Sequence, residues 1–187
     1  ECEHNLVENL LRLQGELHDQ TYQPGPYRHF IVVERKVRKI SAAPYRDRVV
    51  HHALMNVVQP IFEARFIHDS YACREDKGTH RALDRAQEFA RRYPYVLQCD
   101  VVQFFPSVDH AILYDLLARR VACPPTLRLI ERIIASGVGI HSDGWEMQWF
   151  PGDDLMAATR PRGLPIGNQT SQFWANCYLH ELDQFVR

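Results

Sequence analysis

The sequence has no C-x-x-C pair. Its five cysteines, Cys2, Cys73, Cys99, Cys123 and Cys177, are odd in number and widely scattered, which argues against a zinc knuckle or a disulfide framework and fits a reducing compartment. No apolar run approaches the roughly 20 residues needed to span a bilayer, and the N-terminus lacks the basic-then-apolar layout of a secretory signal. A soluble, cytoplasmic chain with no membrane partner is therefore expected. Neither charge is in excess: 22 Lys and Arg face 23 Asp and Glu, for a net charge of −1, which argues against a protein that coats nucleic acid by bulk attraction. Internal repeats and low-complexity segments are also missing. What is present is ordinary globular usage, 45% hydrophobic and 24% charged in 187 residues, enough for one domain with an appended lobe. The sequence begins at Glu1 and stops at Arg187 within a helical pattern, and is read as a piece of a longer chain.

Charge is concentrated locally. Between Arg28 and Arg48 stand seven basic residues (Arg28, Arg35, Lys36, Arg38, Lys39, Arg46, Arg48) and two acidic ones, Glu34 and Asp47. Such a run is either a patch for a polyanion or a solvated face.

Periodicity supplies the elements. Leu6, Leu10, Leu13 and Leu17 form one stripe of a helix ending near His18. Prolines and a glycine break the chain at 21–26, and Phe30 to Val33 with Val37 to Ser41 read as two strands of a basic hairpin. Val49, Val50, Ala53, Leu54, Val57 and Val58 give a helix within Asp47 to Phe66, ended or kinked at Pro60. A helix is expected from Thr79 to Arg92, then a buried strand from Tyr95 to Val102, interrupted by Gln98 and Asp100. Ser107 can cap the helix carrying Ile112, Leu113, Leu116 and Leu117, and Pro124-Pro125-Thr126 opens another reaching Ile134. Turn residues dominate Gly137 to Gly163, with apolar clusters at Val138 to Ile140 and Trp145 to Phe150 that suit a hairpin and a loop. A last helix follows Gly167, with Ala175, Leu179, Leu182 and Val186 on one face. The fold class is α+β.

Two constellations carry chemistry. Asp100 closes an apolar run, Leu97-Gln98-Cys99-Asp100-Val101-Val102-Gln103-Phe104-Phe105-Pro106. A carboxylate there needs a partner or a hard cation, which Mg²⁺ would satisfy, or it caps the following turn. The second is Arg162-Gly163-Leu164-Pro165-Ile166-Gly167-Asn168-Gln169-Thr170-Ser171-Gln172. Its glycines allow close approach of a backbone or base ahead of a helix N-terminus, and Thr170 or Ser171 could equally be a structural cap.

In this order the segments resemble the reverse transcriptases of bacterial retroelements. Arg38 to Val50 resembles the fingers segment, Ser70 to His80 the segment after it, Asp100 to Phe105 the first palm motif and Gly163 to Gln172 the second. Ile166-Gly167 and Ser171-Gln172, with Phe150-Pro151-Gly152-Asp153-Asp154-Leu155 upstream, resemble the polymerase of diversity-generating retroelements, where most relatives carry Gln-Gly and Ser-Pro.

The resemblance implies the fingers and partial palm of a right-hand polymerase with the thumb absent: a helix and linker over 1–27, a fingers-like region over 28–94 and a palm portion over 95–187. It implies nucleotidyl transfer from a dNTP to a DNA primer 3′-hydroxyl on an RNA template, with two Mg²⁺ or Mn²⁺ ions. Asp100 and the Val101 carbonyl would hold metal. Lys36, Arg38, Phe104, Phe105, Ile166 and Gly167 would line the nucleotide, with Phe105 excluding a 2′-hydroxyl. Arg46, Arg48, Arg74, Lys77, Asn168, Ser171 and Gln172 would touch nucleic acid. A small basic accessory protein is the implied partner. The family's aromatic-x-Asp-Asp motif is not in these residues, and Asp153-Asp154 reads as a loop acid pair without a metal role. The alternative is a non-catalytic, polymerase-like RNA-binding protein, and a structural remnant of a decayed element is a third reading.

Other signals have plainer readings. Asp109 beside His110 fits helix capping. His51-His52 lacks metal spacing, and Trp145, Trp149 and Trp174 fit packing anchors as well as base-stacking groups.

Two outcomes are expected. The 187-residue chain alone gives no template-dependent primer extension, and measurable extension overturns that expectation. In an intact enzyme, Ile166→Gln lowers misincorporation opposite template adenine, and an unchanged error spectrum refutes the role assigned to Ile166.

Overall fold

A computed structural model describes residues 5–33, 36–142, 149 and 152–187. Helix α1 spans Leu6–His18; strands β1 (Arg28–Val33) and β2 (Val37–Ala42) form an antiparallel hairpin pairing Phe30 with Ile40 and Val32 with Arg38. Then come α2 (Tyr45–Glu63), α3 (Thr79–Arg92), the single turn α4 (Phe104–Ser107), α5 (His110–Ala118), α6 (Pro124–Ala135), a 3-10 turn at Leu155–Thr159 and α7 (Gln169–Val186). The expectations at Cys2, Glu34, Arg35, Trp145 and Phe150-Pro151 lie outside the described residues.

The core is helical. Val50, Leu54, Met55, Val58 and Phe62 recur at helical spacing on α2 and meet Phe173, Trp174 and Cys177 of α7, while Leu113 and Leu117 of α5 meet Ile130, Ile133 and Ile134 of α6. Phe62 and Phe173 pack edge to face, centroids 5.8 Å apart, a geometry that aligns ring edge with ring face. This contact explains why Pro60 does not end α2, which runs on to Glu63. Proline removes one hydrogen bond, and burial of Val58 and Phe62 on either side holds the final turn.

Other expectations are corrected. Tyr95 to Val102 is neither buried nor a strand: Tyr95 is 89% exposed and Leu97 86%. A strand requires a partner for its backbone groups, and among the described residues the only sheet is the β1–β2 hairpin. Asp109, not Ser107, caps α5, accepting from the amides of Ala111 (2.8 Å) and Ile112 (3.1 Å). The Ser107 hydroxyl instead donates to the Phe104 carbonyl within α4. Asn168 holds the cap position of α7, with Thr170 and Ser171 buried in its first turn. Only the front of the α7 stripe is covered, since Leu182 and Val186 are exposed. No described helix is long and apolar enough to cross a membrane.

A polar cluster anchors the linker before β1. The Asp47 carboxylate, buried on α2, accepts from the Tyr22 hydroxyl at 2.8 Å and the Gly25 amide at 2.7 Å. One turn on, His51 is also buried, with Nδ1 unpartnered. Burial lowers its pKa to about 4, with Asp47 opposing and His52 reinforcing the shift. The unfolded chain therefore binds a proton near pH 6.5 that the folded one refuses, so this contribution is complete above pH 6.5 and is lost as pH falls toward 4. Denaturant titrations should show about 3 kcal/mol of acid-induced loss across that window that His51→Leu removes; identical pH slopes for both proteins would refute the assignment.

Candidate functional site

Three distant segments converge on Arg162 to Asn168. From the α4–α5 region, the Phe105 carbonyl accepts from the Leu164 amide at 2.8 Å, the Val108 carbonyl from the Gly163 amide at 2.9 Å, and Asp109 bridges Arg162. From the hairpin, the Ser41 amide donates to the Ile166 carbonyl at 2.8 Å. Asn168 completes the junction. Its Oδ1 accepts from the Ala43 amide at 3.0 Å, and its Nδ2 donates to the carbonyls of Ser41 (2.8 Å) and Pro165 (3.3 Å). The junction is almost dry: Ser41, Ala43 and Asn168 are all buried, so these groups would lack water if the amide were lost.

Gly167 makes the approach possible. It has φ +107°, and a Cβ there would stand 2.6 Å from Ile40 Cγ2, so this position excludes a side chain on two counts. Because Ile40, Phe30 and Arg38 occupy one face of the hairpin by their register, that face adjoins Ile166 and Gly167. Arg38 and Lys36 are exposed, as is Gly167, while Ile166 is half-buried.

The other nominated residues separate by environment. Phe104 and Phe105 are half-buried against the core, edge to face at 5.6 Å, and Phe104 also meets Tyr178. Asp100 is exposed; its Oδ1 accepts from the Val101 amide at 3.0 Å, and the desolvated, strand-end carboxylate anticipated from the sequence is not what the fold contains. Among the described residues no three His, Cys, Asp or Glu side chains gather as a metal site. Asp153 and Asp154 have structural roles: Asp153 pairs with Arg160 at 2.7 Å and Asp154 caps the 3-10 turn.

Several expected nucleic-acid contacts are engaged inside the fold. Arg74 binds Glu63 at 2.8 Å, donates to the carbonyls of Ile67 and Ser70, and lies over Phe66. Arg46 pairs with Glu16 and lies over Tyr22. Lys77 donates to the His68 carbonyl and lies over Tyr71. The Asn168 and Ser171 side chains are buried. Arg48 and Gln172 are exposed.

Two contacts carried no sequence signal. His110 Nε2 lies 2.7 Å from the Gly163 carbonyl and His141 Nε2 2.7 Å from the Leu164 carbonyl. Their partners are backbone oxygens, which no residue spacing encodes. Burial lowers the His110 pKa. Trp174 is a core anchor and Trp149 is exposed.

No protein-family model matches the chain. It is 24% identical over 182 residues to the group II intron-encoded protein LtrA of Lactococcus lactis subsp. cremoris, across 96% of this chain and 28% of that protein. It is 27% identical over 191 residues to protein YkfC of Escherichia coli (strain K12), across 97% of this chain and 46% of that protein. Against nuclear intron maturase 1, mitochondrial, of Arabidopsis thaliana, identity is 32% over 99 residues, 51% of this chain and 14% of that protein. The chain thus spans between 14% and 46% of the length of these relatives. The chain is thus similar to a group II intron-encoded protein and, over half its length, to an intron maturase.

Asn168→Ala should destabilise the chain by about 2–4 kcal/mol, because the buried Ala43 amide and the Ser41 and Pro165 carbonyls lose their partner, a fall in Tm of roughly 4–16 °C at this size. Asn168→Asp should do no better, since it sets an anion against two carbonyl oxygens. Calorimetry checks both, and a Tm within about 1 °C of the parent would refute the junction's role.

Proposed function

We propose that this chain is the fingers and front-palm portion of an RNA-directed DNA polymerase of the retroelement class. The observation that carries the reading is the junction just described: an exposed arginine face on a basic hairpin held against the Ile166-Gly167 turn, 125 residues away in sequence by the Asn168 to Ala43 hydrogen bond. A group II intron-encoded relative aligned over nearly the whole chain supports the same reading. Arg38 and Lys36 would grip the triphosphate, a task that suits a guanidinium fork. Phe105 would lie under the sugar, and Ile166 and Gly167 beside the new base pair. Gly167 suits this because it brings backbone, not side chain, to the surface next to Ile40.

Asp100 fits a divalent cation as a single ligand, being an exposed hard oxygen donor on a loop. Cations bound there would activate the primer hydroxyl and neutralise phosphate charge. The remaining carboxylates are not supplied by the described residues around it. What this chain's own groups do is bind and orient: the hairpin cations hold phosphate, the turn fixes the base, and Phe105 screens the sugar. An error-prone, diversity-generating subtype rests on the letters Ile166-Gly167 and Ser171-Gln172. The relatives named above lend this finer assignment no support.

A second reading, a non-catalytic RNA-binding scaffold, is favoured by the relative named a maturase.

The test is primer extension by a polypeptide joining this chain to an aromatic-x-Asp-Asp segment. Asp100→Asn should abolish extension, and Arg38→Ala should lower kcat/KM for the nucleotide about 10- to 100-fold, as expected for losing a charge-assisted hydrogen bond. Extension that survives Asp100→Asn refutes the assignment. RNA binding with no extension by the parent favours the scaffold reading.

A further inference from the structure

The turn at 163–168 is held by three segments, and two of the holds are imidazoles. His110 stands at the start of α5 and is buried; its Nε2 approaches the Gly163 carbonyl at 2.7 Å, and its amide donates to the Pro161 carbonyl at 3.0 Å. His141, half-buried in the turn after α6, approaches the next carbonyl, that of Leu164, at 2.7 Å. A carbonyl only accepts, so each Nε2 carries the proton and donates. Successive carbonyls therefore receive imidazole donors from two different segments, while the amides of the same two residues are held by Val108 and Phe105. The space is tight as well: Gly163 has φ +98°, and a Cβ there would lie 3.2 Å from His141 Cδ2.

We propose that His110 and His141 are positioning residues that set the Gly163 to Gly167 turn, and so place Ile166 and Gly167 against the Arg38 face. The inference rests on reading that turn as the wall of a nucleotide site. Neither histidine touches the proposed nucleotide. Each acts through the backbone: fixing both polar groups of residues 163 and 164 determines where Pro165 directs the chain, and Ser41 and Asn168 receive it at the other end. A donor at His141 is therefore what the site needs, and the charge and basicity of the ring are incidental.

His110 is deep enough that its variants could unfold, so His141 carries the test. Amide hydrogen exchange on the 187-residue chain is compared for the parent, His141→Phe, which keeps a ring and loses the donor, and His141→Gln, which keeps an N–H donor. Amides of residues 163–168 should exchange about three- to tenfold faster in the phenylalanine variant, as expected for one lost neutral hydrogen bond, and return toward parental rates in the glutamine variant, with α2 and α6 unchanged. Equal protection in all three, or no recovery with glutamine, overturns the anchoring role. In a polypeptide that extends primers, the same pair of variants should split the constants: His141→Phe raises nucleotide KM about three- to tenfold with kcat within about twofold, and His141→Gln restores it. Faster exchange with an unmoved KM overturns the positioning role. No extension by this chain joined to an aromatic-x-Asp-Asp segment refutes the polymerase reading, while the exchange result still decides whether the histidines hold the turn.

Discussion

One buried carboxamide ties the basic hairpin to the rest of the molecule. A two-stranded ribbon is marginal in water by itself, and β1–β2 has little core beneath it: Phe30, Ile31, Val33 and Val37 are all exposed. Its order comes from the end nearest α2. There the Ser41 amide reaches the Ile166 carbonyl, and Asn168 satisfies the Ser41 carbonyl and the Ala43 amide together. An amide side chain is the group suited to this, since it presents an acceptor and donors side by side to a strand edge, as another strand would. Asn168 thus closes the edge and orients Arg38 in the same act. Gly167 is the complementary condition, because any side chain there would push Ile40 away before those bonds formed.

Arginines divide by what surrounds them, and the division explains how a chain of net charge −1 can present a basic face. Arg74 is nearly buried, with Glu63, two carbonyls and the Phe66 ring taking its donors and its face. Arg132 donates to the carbonyls of Gln20 and Tyr22 and holds the linker over α6. Arg85 joins Asp69, Glu88 and Phe89. These guanidiniums tie helices to the loops beside them, a role that suits a planar donor fork. Lys36 and Arg38 are instead exposed at the hairpin tip and along its face.

Helices were legible because their signal is local. The α1 leucines, the α2 valines and the Pro124-Pro125 start of α6 each report a period or a cap within one turn, and the elements fall within a few residues of expectation. The Tyr95 to Val102 strand failed because its signal is conditional: an apolar run becomes a strand only beside another strand. Capping failed in a subtler way. Ser107, Thr170 and Ser171 are all competent caps, yet Asp109 and Asn168 hold the positions, and only the chain's path into each helix decides among them. In the candidate site, the sequence brought Arg38 and Gly167 into one argument by resemblance. It marked Asn168 as a nucleic-acid contact and gave no hint that its carboxamide and the two histidines hold backbone groups more than 20 residues away.

This reliance on backbone contacts has a consequence for the site itself. From Gly163 to Asn168 the chain is fixed by its amides and carbonyls: Val108 and Phe105 hold 163 and 164 from one side, and Ser41 holds 166 from another. None of these holds involves the Ile166 side chain, which is half-buried at the edge of the junction. The turn therefore keeps its path whichever residue stands at 166, and a change there alters the surface offered to a neighbour without moving Gly167 or Arg38. Changes at Gly167 or Asn168 act in the opposite way, since those residues carry the geometry itself. A site built like this separates the residue that contacts from the residues that position, and allows the first to vary while the second cannot.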